Sequence, residues 1–100
     1  MRRFFVDTFY WIALFSPRDR WHVRVAAFDD TLDATDHLYT TDKVCTEFLT
    51  SYSTTTPWLC TRATRYVQAL LDTPDLTILS QTRTGFLHAL TLYWKPSPRP

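Results

Sequence analysis

Phe4-Phe5-Val6 runs three apolar residues straight into Asp7, and an apolar pattern of a different period starts directly behind it. A short continuous apolar run ended by a polar residue is the mark of a strand buried in a parallel sheet, and these three residues read as its central strand. Behind them, Thr8 can cap a short helix through Phe15, which Ser16-Pro17 ends because the residue before a proline avoids the helical region. Strand then helix is the first half of an α/β crossover. In open α/β sheets ligands bind at the carboxyl ends of the strands, which is where Asp7 stands.

The rest of the chain repeats the alternation. Arg20 to about Leu32 carries Trp21, Val25, Ala26 and Phe28 at nearly helical spacing. Asp29, Asp30, Asp33 and Asp36 crowd its exit and read as a solvated acidic turn. A second strand follows over His37–Thr40. Thr41 then caps a helix that sets Val44, Cys45, Phe48, Leu49 and Tyr52 on one face, with Glu47 to the side of it. Ser53 to Pro57 makes a loop. The helix from Trp58 to Leu71 places Leu59, Ala63, Tyr66, Val67 and Leu70 inward and Arg62, Arg65 and Gln68 outward. Leu76–Ser80 reads as a third strand and Thr84–Trp94 as a last helix, which the prolines of 95–100 cannot continue. This order gives a small parallel sheet joined by right-handed crossovers.

Composition narrows the functional classes. One hundred residues suit one domain, able to bury roughly 60 to 65% of its unfolded surface. A net charge of +1 supplies no general basic field, so a nucleic-acid substrate needs local contacts; Arg62 and Arg65 are candidates for phosphate. With Gly85 as the single glycine, no glycine-rich phosphate loop is possible. Cys45 and Cys60 lie in apolar helical patterns, as small buried side chains or, less commonly, a disulfide. The strongly apolar stretch Phe9–Phe15 is far short of the roughly 20 residues that cross a bilayer, and Arg2-Arg3 opens no export signal. The expected location is the cytoplasm, with no membrane partner.

The chemistry rests on Asp7 and Glu47. Mg²⁺ and Mn²⁺ prefer hard oxygen ligands, commonly one or two carboxylates with water and substrate phosphate. Such an ion, held by these two, can promote hydrolysis of a phosphodiester without a covalent intermediate. Thr8 either orients a water or phosphate oxygen or serves as the helix cap. The acidic turn lacks the glycine and spacing of a calcium loop, and His22, His37 and His88 lack zinc-site spacing.

Phe4-Phe5-Val6-Asp7-Thr8, Pro17-Arg18-Asp19-Arg20-Trp21-His22 and Thr40–Leu49 together resemble the PIN-domain nucleases of VapC-type toxin–antitoxin pairs. The resemblance covers residues 1–94 as a partial PIN-like domain and leaves 95–100 as a proline-rich tail. It implies a three-layer α/β fold and a metal-dependent endoribonuclease, with Asp7 matching the first family acid and Glu47 the helical acid. The partners it implies are structured RNA as substrate and a small antitoxin protein; association with a second copy of the chain is a separate expectation. The family continues from a Leu-Tyr pair into segments bearing further aspartates. Here Leu92-Tyr93 leads instead into Trp94-Lys95-Pro96-Ser97-Pro98-Arg99-Pro100, so the later acids and the C-terminal strands and helices have no counterpart. The implied enzyme is therefore weakened or inactive. The competing expectations are a nonenzymatic remnant that binds an antitoxin or an intact homologue, and a fragment that folds poorly.

Overall fold

The computed structural model describes residues 2–80, 82–84 and 87. Three short strands, β1 (Arg3–Phe5), β2 (His37–Thr41) and β3 (Leu76–Leu79), pair in parallel in the order β1-β2-β3. Phe5 stands opposite Tyr39, and Tyr39 opposite Thr77. β2 is therefore the central strand of the described sheet. The apolar run around Phe4 forms an edge, contrary to its appearance in sequence, and Phe5 is 38% exposed there. The run is apolar because Phe4 packs edge-on against Phe28 and lies beneath the Arg2 guanidinium, while Val6 enters the core.

Four helices fill the two crossovers: α1 (Thr8–Phe15) and α2 (His22–Asp30), then α3 (Asp42–Ser51) and α4 (Pro57–Leu71). Because the strand order advances in one direction, right-handed crossovers bring both pairs to one sheet face. Their meeting point is aromatic. The Phe15 ring of α1 lies 5.3 Å from Phe48 of α3, 5.0 Å from Tyr52 and 5.2 Å from Tyr66 of α4, and Phe48 stacks on Tyr66 at 5.5 Å. Cys45 of α3 is buried and Cys60 donates its thiol proton to the Tyr52 carbonyl; both cysteines are free. The helix expected over Thr84–Trp94, the tail 95–100 and His88 lie outside the described residues, apart from positions 84 and 87.

Two polar knots tie the sheet together. Thr40 is fully buried; its hydroxyl donates to the Val6 carbonyl at 2.9 Å and accepts from the Trp11 indole at 3.2 Å. One side chain of β2 thereby holds β1 and α1 at once, directly behind Asp7. The second knot overturns the solvated-turn expectation for Asp36. This residue is 5% exposed and accepts from Arg2 Nε at 3.0 Å, Arg2 Nη2 at 2.8 Å, and the backbone amides of Arg2 and Asp33. Asp29 likewise accepts a hydrogen bond from the Tyr10 hydroxyl.

The Arg2 hydrogen bond, against an opposing effect of burial, pulls the Asp36 carboxyl from its ordinary 3.8 to about 2. A depressed folded-state value stabilises the fold fully above about pH 4, and that contribution is lost as the pH falls toward 2. Melting temperature followed by circular dichroism from pH 5 to pH 2 is expected to fall. In Asp36→Asn the fall over this window becomes shallower, leaving the smaller contribution of Asp33, whose carboxyl is lowered by hydrogen bonds from Thr35. An unchanged acid profile in the variant would show that the Arg2 pairing contributes nothing to folding.

Candidate active site at the carboxyl end of the sheet

Asp7 follows β1 by two residues, and the register that sets Phe5 beside Tyr39 carries it alongside Thr41 at the end of β2. Each of these neighbours starts a helix. Asp7 is the N-cap of α1, its Oδ1 accepting from Tyr10 N at 3.2 Å, and Thr41 is the N-cap of α3, accepting from Val44 N at 3.1 Å. The α1 cap is thus Asp7, one residue earlier than the sequence indicates; Thr8 becomes the first helical residue. Both residue types are competent caps, so only the backbone decides, and at Asp7 it is extended (φ −100°, ψ −174°).

Capping occupies one Asp7 oxygen. Oδ2 accepts nothing from the described residues, the side chain is exposed, and the Thr8 hydroxyl is equally free of partners among them. Glu47 sits in the second turn of α3, one residue before the buried Phe48. Because the Phe48 face turns into the core, Glu47 is exposed, and its carboxylate too has no partner among the described residues. The two acids therefore stand on helices that leave the ends of adjacent parallel strands, with oxygen atoms available to a hydrated ion.

Other groups fit this role less well. Among the described residues no group of three or more His, Cys, Asp or Glu side chains forms a metal cluster. Burial, then the Asp29 hydrogen bond, raises the Tyr10 phenol, and burial pushes Tyr66 up to about 12, so neither exchanges a proton near neutrality. Burial and the Asp42 charge likewise raise the Cys45 thiol, which disfavours a thiolate nucleophile. His22 Nδ1 donates to the Ala13 carbonyl at 2.6 Å, and His37 meets the Thr77 hydroxyl at 2.7 Å. A cavity of about 460 Å³ opens by Asp36, Leu38, Asp75 and Leu76 at the amino ends of β2 and β3, with Trp11 and Tyr66 also in its lining, and Asp7 at the carboxyl end of β1 is not among its residues.

Sequence reasoning offers Arg62 and Arg65 as phosphate contacts. The Arg62 guanidinium lies over Phe15 at 5.4 Å and over Trp58 at 5.1 Å, which gives it a packing role that an outward-facing helical position does not reveal. Arg65 is exposed. A second set of arginines, Arg20 and Arg24, gathers on Trp21 through contacts local in sequence, and only Phe9 of α1 joins that indole across the α1–α2 junction.

No protein-family model matches the chain, and no curated protein matches it in sequence. Among solved structures it is similar to the crystal structure of Mycobacterium tuberculosis VapC20, a sarcin–ricin loop cleaving toxin, with a TM-score of 0.66 and 18% identity. The match covers 94% of this chain and 72% of the toxin. At that identity the likeness is one of fold: the chain shares with that toxin a mixed α/β architecture built on a small parallel sheet.

Proposed function

We propose that the chain is a PIN-like, metal-dependent endoribonuclease scaffold of low intrinsic activity, related in function as well as fold to the toxins of toxin–antitoxin pairs. The observation that carries the proposal is Asp7. An exposed carboxylate, with one oxygen unengaged among the described residues, closes the β1 strand end, on a sheet whose fold is similar to that of an RNA-cleaving toxin. The donor set suits Mg²⁺ or Mn²⁺, since Asp7 and Glu47 are hard oxygen ligands in contact with water. Bound there, such an ion would supply charge neutralisation at a phosphodiester and a more acidic water.

The chain's own residues do the remainder. Asp7 is held by its cap bond to Tyr10 N, which leaves its second oxygen without a partner among the described residues. Glu47 brings a second charge from α3, and the Thr8 hydroxyl orients a water or phosphate oxygen. With two carboxylates the site leans on substrate phosphate to complete the ion's ligands, so cation affinity rises when RNA is present and activity stays low. We place the protein in the cytoplasm, with an antitoxin and RNA as partners; no described helix is long and apolar enough to cross a membrane.

The test is cleavage of a mixed RNA pool by the monodisperse protein with Mg²⁺ or Mn²⁺, beside a chelator control and Glu47→Gln. Cleavage that chelation abolishes and Glu47→Gln strongly reduces is expected. A well-folded protein that leaves RNA intact at high concentration would overturn the enzymatic reading and favour a nonenzymatic partner of an antitoxin or a homologue. That reading would draw on β1, which presents an edge in the described sheet.

A further inference from the structure

Residues 18–24 set three arginines, Arg18, Arg20 and Arg24, against the single carboxylate of Asp19. The segment is a turn that runs into the start of α2. Asp19 Oδ1 accepts from Trp21 N at 2.9 Å, the Asp19 amide donates to the Ser16 carbonyl, and His22 is pinned to Ala13 of α1. On this support the Arg20 guanidinium lies 5.1 Å from the Trp21 ring centroid and that of Arg24 5.2 Å, so one indole holds two cations in place. Phe9 meets the same indole edge-on at 6.0 Å and remains 48% exposed. Phe9 belongs to the first turn of α1, two residues after Asp7.

We infer that Phe9 and the Arg20–Trp21–Arg24 cluster form the contact surface that seats single-stranded RNA beside Asp7. This deepens the ribonuclease reading and rests on it for the choice of RNA over another polyanion. The chemistry is that of sequence-tolerant single-strand binding: guanidinium donor forks held outward address phosphate oxygens, and an exposed ring offers a face to an unpaired base. Guanidiniums anchored on an indole lose less side-chain freedom when phosphate arrives than mobile ones. A chain of net charge +1 has no general field to do this work, so a local cluster must.

Binding of a labelled, mixed-sequence single-stranded RNA, read by fluorescence anisotropy in the presence of chelator, tests the surface without cleavage. Arg20→Gln/Arg24→Gln is expected to weaken binding by about tenfold or more and to lower the slope of log affinity against log salt by about 1.4, or about 0.7 for each phosphate no longer neutralised. Phe9→Ala is expected to weaken binding at least about fivefold with the salt slope unchanged, the mark of an absent stacking partner. Wild-type affinity in both variants, with their circular dichroism intact, would overturn the inference even if the protein cleaves RNA with Mg²⁺. A wild-type protein that binds a glutamate-rich peptide and not RNA would overturn it as well. RNA bound through these residues but never cleaved would sustain the surface while removing the enzymatic reading.

Discussion

Asp7→Asn is expected to lower RNA cleavage by more than about 100-fold while leaving the melting temperature nearly unchanged. The first half follows from charge: an amide oxygen is a poor replacement for an anionic ligand of a hard cation. The second half follows from the cap. Asparagine accepts a helix-terminal N–H about as well as aspartate does, so the bond to Tyr10 N survives. Asp7→Ala removes both features. It should lose cleavage to the same degree and also cost about 1 kcal/mol of stability, a drop of roughly 4–8 °C for a domain of this size. Cleavage rates and thermal melts of the two variants separate chemistry from folding. Cleavage that persists in Asp7→Asn would reduce Asp7 to a helix cap.

Phe48→Ala is expected to produce the largest loss of stability, about 3–5 kcal/mol. Phe48 is 1% exposed and touches Phe15, Tyr52 and Tyr66, so three helices are deprived of a shared neighbour when its ring is removed. Domains of this size have about 5–15 kcal/mol in all, and the variant should be partly unfolded at modest urea concentrations. Phe48→Leu, which leaves a smaller void, should lose markedly less. Urea titrations followed by tryptophan fluorescence check the order of the three proteins. An alanine variant within about 1 kcal/mol of wild type would mean that the aromatic cluster is not a cooperative core.

How far the sequence discloses this architecture depends on the range of the interactions involved. α3 is readable because its determinants are local: the Thr41 cap lies three residues from Val44 N, and Val44, Cys45, Phe48 and Tyr52 recur at helical steps. α4 is readable for the same reason, except at its start: Pro57, read as the end of the preceding loop, is the first helical residue behind the Thr56 cap, a position that suits a residue lacking an N–H. The rank of β1 in the sheet is not. Burial on one face beneath Phe28 produces an apolar run indistinguishable from a central strand, and strand order is set by crossovers tens of residues long. Asp36 looks solvated in sequence because its partner, Arg2, lies 34 residues away. The candidate site falls between these cases. Asp7 and Glu47 are each visible from strand-end and helix-flank positions. Arg20, Trp21 and Arg24 are close in sequence as well, but Phe9 meets the Trp21 ring only across the α1–α2 junction, which no local spacing shows.

The Thr40 knot also gives the molecule an internal clock. The Trp11 indole proton is donated to a hydroxyl with no exposed surface, on a side chain that is itself 3% exposed. Solvent reaches that proton only when α1 lifts from the sheet, so the deuterium exchange rate of one resolved indole resonance measures the free energy of opening the floor beneath Asp7. Local breathing of the helix would exchange it early, whereas exchange at the rate of global unfolding would mean that the Asp7 strand end is as rigid as the core it rests on.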